Sequence, residues 1–398
     1  MEIFHKRHDG TLMKYEADPP IKDVVVRKQI KGIDQCCFFN NKNIVSIELP
    51  ETVKVIGSNA FKNCSSLETV SGLVGVTEIN SWAFMNCKKL DRFDIPESCV
   101  VDGTAFKGCL KWYDDKGFLI INNKLCHFRG RVSEVVIPDT VSVIGEGAFE
   151  ENLMLESVTF PEGLNQICKH AFRGCKNLLQ INIPSNLECI GRDAFAGCEN
   201  LNMKIVLPEK TKTANFEKSG IKEIVFTNQT VNEEILFTNR TVNELPYSFV
   251  RGCKQLERVT VPVTVKYLLD NFTGCTSLKE IIAPGTHLKY IGITGLGSPR
   301  IKYPDFIREA AVAGFIRCYD KYIENVFDEY IDYLNKMLLK YAAMIIKNDA
   351  CELLEIIDSE GNSVQKYKED LLIPLAKAYG ASKCLGFLTN LEIKKEKQ

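Results

Sequence analysis

A chain of 398 residues exceeds what one compact core serves, so several domains or an elongated array is expected. Apolar residues at 45% and charged residues at 25% exclude long disordered or acidic tails. The formal net charge is -1, with Lys and Arg scattered along the chain, so the basic stripe that a phosphate backbone requires is missing and nucleic acid is excluded as the expected partner.

The first residues, MEIFHKRHDGTLMKYEADPP, lack the apolar core of a signal peptide, and no run approaches the roughly eighteen apolar residues of a membrane span. The expectation is a cytoplasmic chain without membrane insertion; a leader removed from the chain would change that to the cell surface or outside. The stretch HDGTLMKYEADPPIKDVVV orders a turn, a short strand, a spacer and a β-branched run. The same order returns in WYDDKGFLIINNKLCHFRGRVSEVVIP, where the turn Asp114-Asp115-Lys116-Gly117 between strand-like runs predicts a hairpin. Both segments read as starts of sub-arrays, the N-terminal one also covering the first coil.

Self-comparison reveals a period of 23. Its anchors are Phe38, Phe61, Phe84, Phe106, Phe149, Phe172, Phe195, Phe216, Phe249 and Phe272, and β-branched runs ending in Pro keep step with them. In the clearest unit, residues 155–177, alternation turns Leu155, Val158 and Phe160 inward while Ser157 and Thr159 face out. Pro161 has no N–H for a ladder and ends the strand. Leu164 and Ile167 bring the chain back to the core, Ala171 and Phe172 fill it from a tight turn, and Gly174 lets the backbone reverse. One such unit cannot bury its apolar side alone; stacked neighbours can.

The phrase I-G-x-x-A-F-x-x-C-x-x-L-x-x-I-x-I-P, present as IGSNAFKNCSSL and IGRDAFAGCENL, resembles the BspA-like leucine-rich repeat family over about residues 20 to 300. The resemblance implies a curved solenoid of a kind found mostly in bacterial proteins, with surface-exposed members linked to adhesion and protein binding. The expected fold is therefore α+β: a right-handed leucine-rich repeat solenoid of about ten 22–23-residue coils over residues 1–300, N-terminal cap included, followed by a small α-helical domain over 301–398.

Between Phe216 and Phe249 the interval is 33, and FTNQTVNE from Phe226 recurs as FTNRTVNE from Phe237. This tandem duplication reads as an outward bulge or an extra strand, with a dedicated binding loop as the other reading. Asn228, Asn239 and Asn271 stand in N-x-T sequons, which matter only on a secretory route. Beyond residue 301 the pattern becomes helical. Pro304 and Asp305 open a helix with Ile307, Ala311, Phe315 and Cys318 on one side; a longer one carries Ile323, Phe327, Tyr330, Leu334, Leu338, Tyr341 and Ile345 as an apolar stripe. Segments 349–358, 370–379 and 381–391 predict further helices, stopped at Gly361 and Gly380. They resemble ankyrin-like helix pairs; a simple C-terminal cap is the other reading.

Of the sixteen cysteines, Cys64, Cys87, Cys109, Cys175, Cys198 and Cys275 each follow an anchor Phe by three residues, so they are one repeated position filled by packed thiols. No C-x-x-C occurs and the five histidines are scattered, so no metal and no cofactor is expected. Phosphate-loop, dinucleotide, zinc-protease and nucleophile-elbow motifs are absent, and no carboxylate pair stands out. The chain is expected to be non-catalytic. Its outward strand residues, among them Thr159, Asn182, Val206 and Thr260, would form a face of small or β-branched side chains suited to an unidentified protein or peptide, with a glycan possible. The alternative is a scaffold or adhesin-type protein acting through self-association, the helical domain or glycan binding.

Overall fold

The computed structural model describes residues 2–208, 211, 214–226, 249–261, 265, 268, 271–286, 305–322, 324–360 and 363–395. It is a leucine-rich repeat solenoid with a C-terminal helical region, and the chain divides into two compact units, Met1–Cys198 and Glu199–Gln398.

In the first unit the strands are β1 (Glu2–Lys6), β2 (Thr11–Ala17), β3 (Asp23–Val25), β4 (Gly32–Ile33), β5 (Ser46–Glu48), β6 (Val55–Ile56), β7 (Thr69–Ser71), β8 (Glu78–Ile79) and β9 (Val100–Val101). They are followed by β10 (Phe118–Ile121), β11 (Lys124–Phe128), β12 (Glu134–Val136), β13 (Val143–Ile144), β14 (Ser157–Thr159), β15 (Gln166–Ile167), β16 (Gln180–Ile181) and β17 (Cys189–Ile190). Two sub-arrays result. Each opens with an antiparallel hairpin, β1–β2 or β10–β11, whose second strand then starts a parallel ladder: β2-β4-β6-β8-β9 and β11-β13-β15-β17. A second ladder accompanies each, β3-β5-β7 and β12-β14-β16. The hairpin turn of the second sub-array is Asn122-Asn123, not Asp114–Gly117 as the sequence suggested. Both asparagines have positive φ, 48° and 60°, as a two-residue hairpin loop demands. The Asp114–Gly117 turn comes earlier and feeds β10, with Asp114 Oδ1 accepting the Phe118 N–H at 2.8 Å.

The core is a pile of rings. Phe38, Phe61, Phe84 and Phe106 stack at 4.8, 5.0 and 5.1 Å, nearly parallel, and the pile ends on Trp112 at 4.1 Å. In the second sub-array Phe149, Phe172 and Phe195 repeat this at 4.8 and 5.2 Å. The spacing is that of neighbouring strands, because each Phe is held by its own backbone: the Phe61 N–H donates to Ala83 C=O and the Phe172 N–H to Ala194 C=O, at 2.7 and 2.8 Å. Leu155, Val158, Phe160, Leu164, Ile167 and Ala171 are buried as their alternation predicts.

The turn around most anchors of the first unit has two left-handed residues, such as Asn59 and Asn63 (φ 57° and 62°) or His170 and Gly174 (φ 58° and 73°). Asparagine at the second position adds a bond between coils: Asn63 Nδ2 donates to Asn40 Oδ1 at 2.9 Å and Asn86 Nδ2 to Asn63 Oδ1 at 3.0 Å. The repeated cysteine is equally specific. The Sγ of Cys64, Cys87, Cys109, Cys175 and Cys198 each donates to the carbonyl of the anchor Phe one coil back, at 3.0 to 3.1 Å. All sixteen thiols are free.

The second unit contains β18 (Lys204–Leu207), β19 (Glu223–Phe226), β20 (Arg258–Thr260) and β21 (Glu280–Ile282) in one parallel sheet. β19 pairs directly with β20, and the Phe216 N–H donates to Phe249 C=O at 2.8 Å, so the two anchors occupy adjacent coils despite their long interval. The duplicated segment lies, past Phe226, outside the described residues, as do the sequons at Asn228 and Asn239. Asn271 is 1% exposed and its Oδ1 accepts the Phe249 N–H at 2.9 Å, which makes it a structural residue and not a glycan acceptor.

The helical region comprises α1 (Asp305–Cys318), α2 (Glu324–Lys347), α3 (Cys351–Glu360), α4 (Ser363–Tyr367), α5 (Ile373–Tyr379) and α6 (Ser382–Lys395). Tyr330, Leu334, Leu338, Tyr341 and Ile345 form the buried stripe of α2, with Phe327 half-buried at its margin. Ala311 and Phe315 are buried on α1 and Cys318 is half-buried; the side chain of Ile307, and Ile323, lie outside the described residues. Gly380, at φ 64°, closes α5. Among the described residues no helix is long and apolar enough to cross a membrane.

Candidate partner-binding face

Every second residue of the β12-β14-β16 ladder points away from the core, so three coils place Glu134 and Val136, Ser157 and Thr159, Gln180 and Asn182 on one surface. Only Glu134 is charged. Val136 is 71% exposed, directly beside the exposed Thr159, and Asn182 follows in the next coil. Val136 belongs with the residues expected from sequence, and the signal for it was present: it precedes Ile137-Pro138 as Thr159 precedes Phe160-Pro161. Asn182 has a further task. Its Oδ1 accepts the Phe160 N–H at 2.6 Å and its Nδ2 donates to Phe160 C=O at 2.9 Å, so the amide serves as an extra rung of the ladder.

Val206 and Thr260 belong to the other unit, on β18 and β20. Val206 is 41% exposed and Val225 on β19 half-buried, but Thr260 is 9% and Ile282 on β21 6% exposed. Thr260, expected to face outward, is therefore a buried residue. Helix α1 lies against the neighbouring β21 so closely that a Cβ on Gly314 would sit 2.1 Å from the Ile281 carbonyl oxygen. Tyr322, just beyond α1, accepts the Ala283 N–H on its hydroxyl at 3.2 Å. The last strand thus meets a helix where another coil would otherwise be needed.

Beside this covered row runs a chain of alternating charge. Lys204 pairs with Glu223 at 3.0 Å, Glu223 with Arg258 at 3.6 Å, Arg258 with Glu280 at 2.7 Å and Glu280 with Arg317 of α1 at 2.7 Å. The bond to Glu280 holds the Arg258 guanidinium even above its usual value. Each interior charge already has partners on both sides, so the row ties α1 to the sheet and is spent largely within itself.

Among the described residues no cluster of three His, Cys, Asp or Glu is placed to hold a metal ion. Burial pushes the Cys175 thiol up to about 12 and the Cys253 thiol up to about 11, away from the thiolate a nucleophile needs.

Two stacked strand ladders, a ring pile and paired left-handed turns define a leucine-rich repeat protein. Residues 15–113, 120–242 and 215–306 match the model of the BspA type leucine rich repeat region, six copies in all, and the chain belongs to that family. Such repeat families are generally non-enzymatic and typically mediate protein interaction or surface adhesion. Among solved structures, it is similar to a leucine rich cell surface protein from Faecalibacterium prausnitzii, 22% identical over 70% of this chain and 92% of that one, with a TM-score of 0.29. A leucine-rich repeat protein from Eubacterium ventriosum is 18% identical over 74% and 90% of the two chains, TM-score 0.40. The leucine rich repeat protein of T. pallidum is 25% identical over 53% and 89%, TM-score 0.31. No curated protein matches the chain.

Proposed function

We propose that the chain is a non-catalytic interaction module that binds a protein or peptide on the outward strand face of its repeats, through Val136, Thr159 and Asn182, with Val206 on the corresponding row of the second unit. The observation that carries this reading is the exposed row Val136–Thr159–Asn182, uncharged and mounted on strands whose backbone groups are already paired. Rigid strands lose little entropy on binding, and a face without charge is inexpensive to dehydrate.

The test replaces Val136 and Thr159 together by Arg, leaving Asn182 intact because its amide completes the ladder. Surface strand residues tolerate such changes within about 0.5 kcal/mol each, so the fold survives. Affinity capture from the host cell and its surroundings, quantified by mass spectrometry, should show a protein retained by the native chain and lost by the double variant. Equal recovery of every captured protein by both chains would remove this face from consideration.

A further inference from the structure

The turn edge of the first sub-array differs from that of the second in a way that packing does not require. Segments 35–42, 58–65, 81–89 and 103–111 contain six lysines and no Asp or Glu. Lys89 and Lys111 pair with Glu68 and Asp91 outside these segments. Among the described residues, no carboxylate lies within ion-pair distance of Lys42, Lys62, Lys88 or Lys107. On the second sub-array the same edge carries carboxylates, and two of its cations are paired between coils, Arg173 with Glu150 and Lys169 with Glu146.

Apolar side chains interleave with these lysines. The residues that follow the anchors are Phe39, Lys62, Met85 and Lys107, one per coil. Their order is fixed by backbone bonds, with the Asn40 N–H donating to Lys62 C=O, the Asn63 N–H to Met85 C=O and the Asn86 N–H to Lys107 C=O. Phe39 is exposed. Beside this row stands Trp82, 43% exposed, with Lys62 Nζ 5.1 Å from its ring centre. Trp82 occupies a left-handed position, φ 58°, where other coils carry Asn59, His170, Asp193 or Gly147. A bulky ring is an unfavourable choice for that conformation, and nothing in the core needs it.

We propose that this turn edge docks an acidic peptide segment of another protein, its carboxylates received by Lys62 and Lys107 and its apolar side chains by Trp82, Phe39 and Met85. Exposed aromatic anchors ringed by one sign of charge suit such a segment. A glycan would need planar polar groups, yet the Asn40, Asn63 and Asn86 amides are engaged with one another and carboxylates are lacking. This surface is distinct from the strand face proposed above, and the two stand or fall separately.

The experiment pans a displayed library of random peptides of about twelve residues against the full chain and measures the enriched sequences by fluorescence anisotropy. Enriched peptides should combine Asp or Glu with aromatic or aliphatic residues. Trp82→Asn and Lys62→Glu should each weaken them about tenfold or more, and raising salt from about 0.05 to about 0.5 M should weaken them further. Val136→Arg, on the other face, should leave them unchanged. Trp82→Asn places a residue already tolerated at this φ, so its Tm should equal or exceed that of the native chain. The proposal fails if no peptide is enriched, if the enriched peptides are neutral or basic, or if Trp82→Asn binds them normally. It fails equally if heparin fragments or single-stranded DNA bind in a Trp82-dependent manner where the peptides do not.

Discussion

Phe172 lies between Phe149 and Phe195 with rings touching on both faces and no exposed surface. Phe172→Ala should therefore lower stability by about 3–5 kcal/mol, as large-to-small changes do in packed interiors; chemical denaturation measures it, and a loss below about 1 kcal/mol would mean the ring is not core. Two titrations bound the pH range of the fold. Burial, reinforced by Lys107, depresses His127 to about 4, and its Nδ1 is hydrogen-bonded to the Tyr113 hydroxyl at 2.8 Å. Its contribution is complete above the unfolded value of about 6.5 and is lost as pH falls toward 4. The buried thiols work in the opposite sense. With folded values of about 12 for Cys175 and about 11 for Cys253, against about 8.5 unfolded, their contribution is complete below pH 8.5 and is lost as pH rises toward 11 to 12. Denaturation midpoints should thus form a plateau from about pH 6.5 to 8.5, falling on both sides. An undiminished midpoint at pH 10 would show that the thiols are accessible. Without reductant, all sixteen cysteines should react with Ellman's reagent after denaturation, and Cys36, exposed in the native chain, should react first before it.

At the scale of elements, much was legible because the repeat writes it many times over. Period, anchors, buried thiol position and strand alternation follow from side chains that meet their own copies one coil away. Isolated events were not. The amide of Asn182 replaces a ladder rung, but its partner is 22 residues away and nothing in the local pattern marks it. Thr260 obeys the alternation rule and is still buried, in a sheet whose last strand is met by a helix distant in sequence. The Asn-Asn loop was in view, yet the Asp-Gly turn beside it carried the stronger conventional signal. Gly314 tests the helix contact. Gly314→Leu cannot be accommodated against the Ile281 carbonyl, so hydrogen exchange should quicken in β20, β21 and α1 while β12, β14 and β16 keep their protection. Uniform protection would show that α1 does not hold the sheet.

At the scale of the whole molecule, the sequence indicated a binding module and the family supports that class, while the partner has no counterpart in any internal pattern. The hairpins at β1–β2 and β10–β11 have another consequence. Successive coils of a sub-array are joined by bonds from one coil to the next, β13, β15 and β17 pairing at an interval of 23 residues and the thiols reaching back 26. Length is therefore an adjustable quantity, independent of both ends. Copying residues 155–177 and inserting them after Asn177 supplies one more anchor Phe, one more thiol donor, two more left-handed turn residues and two more strands, each at the repeat position its counterpart holds now, with Thr159 of the copy standing where Asn182 stands beside the present coil. Such a chain should fold with a Tm no lower than the original, as nearest-neighbour stabilities add. The protein can thus be measured out in whole coils, as a ruler is in divisions, and a binding face can be lengthened without redesigning the rest.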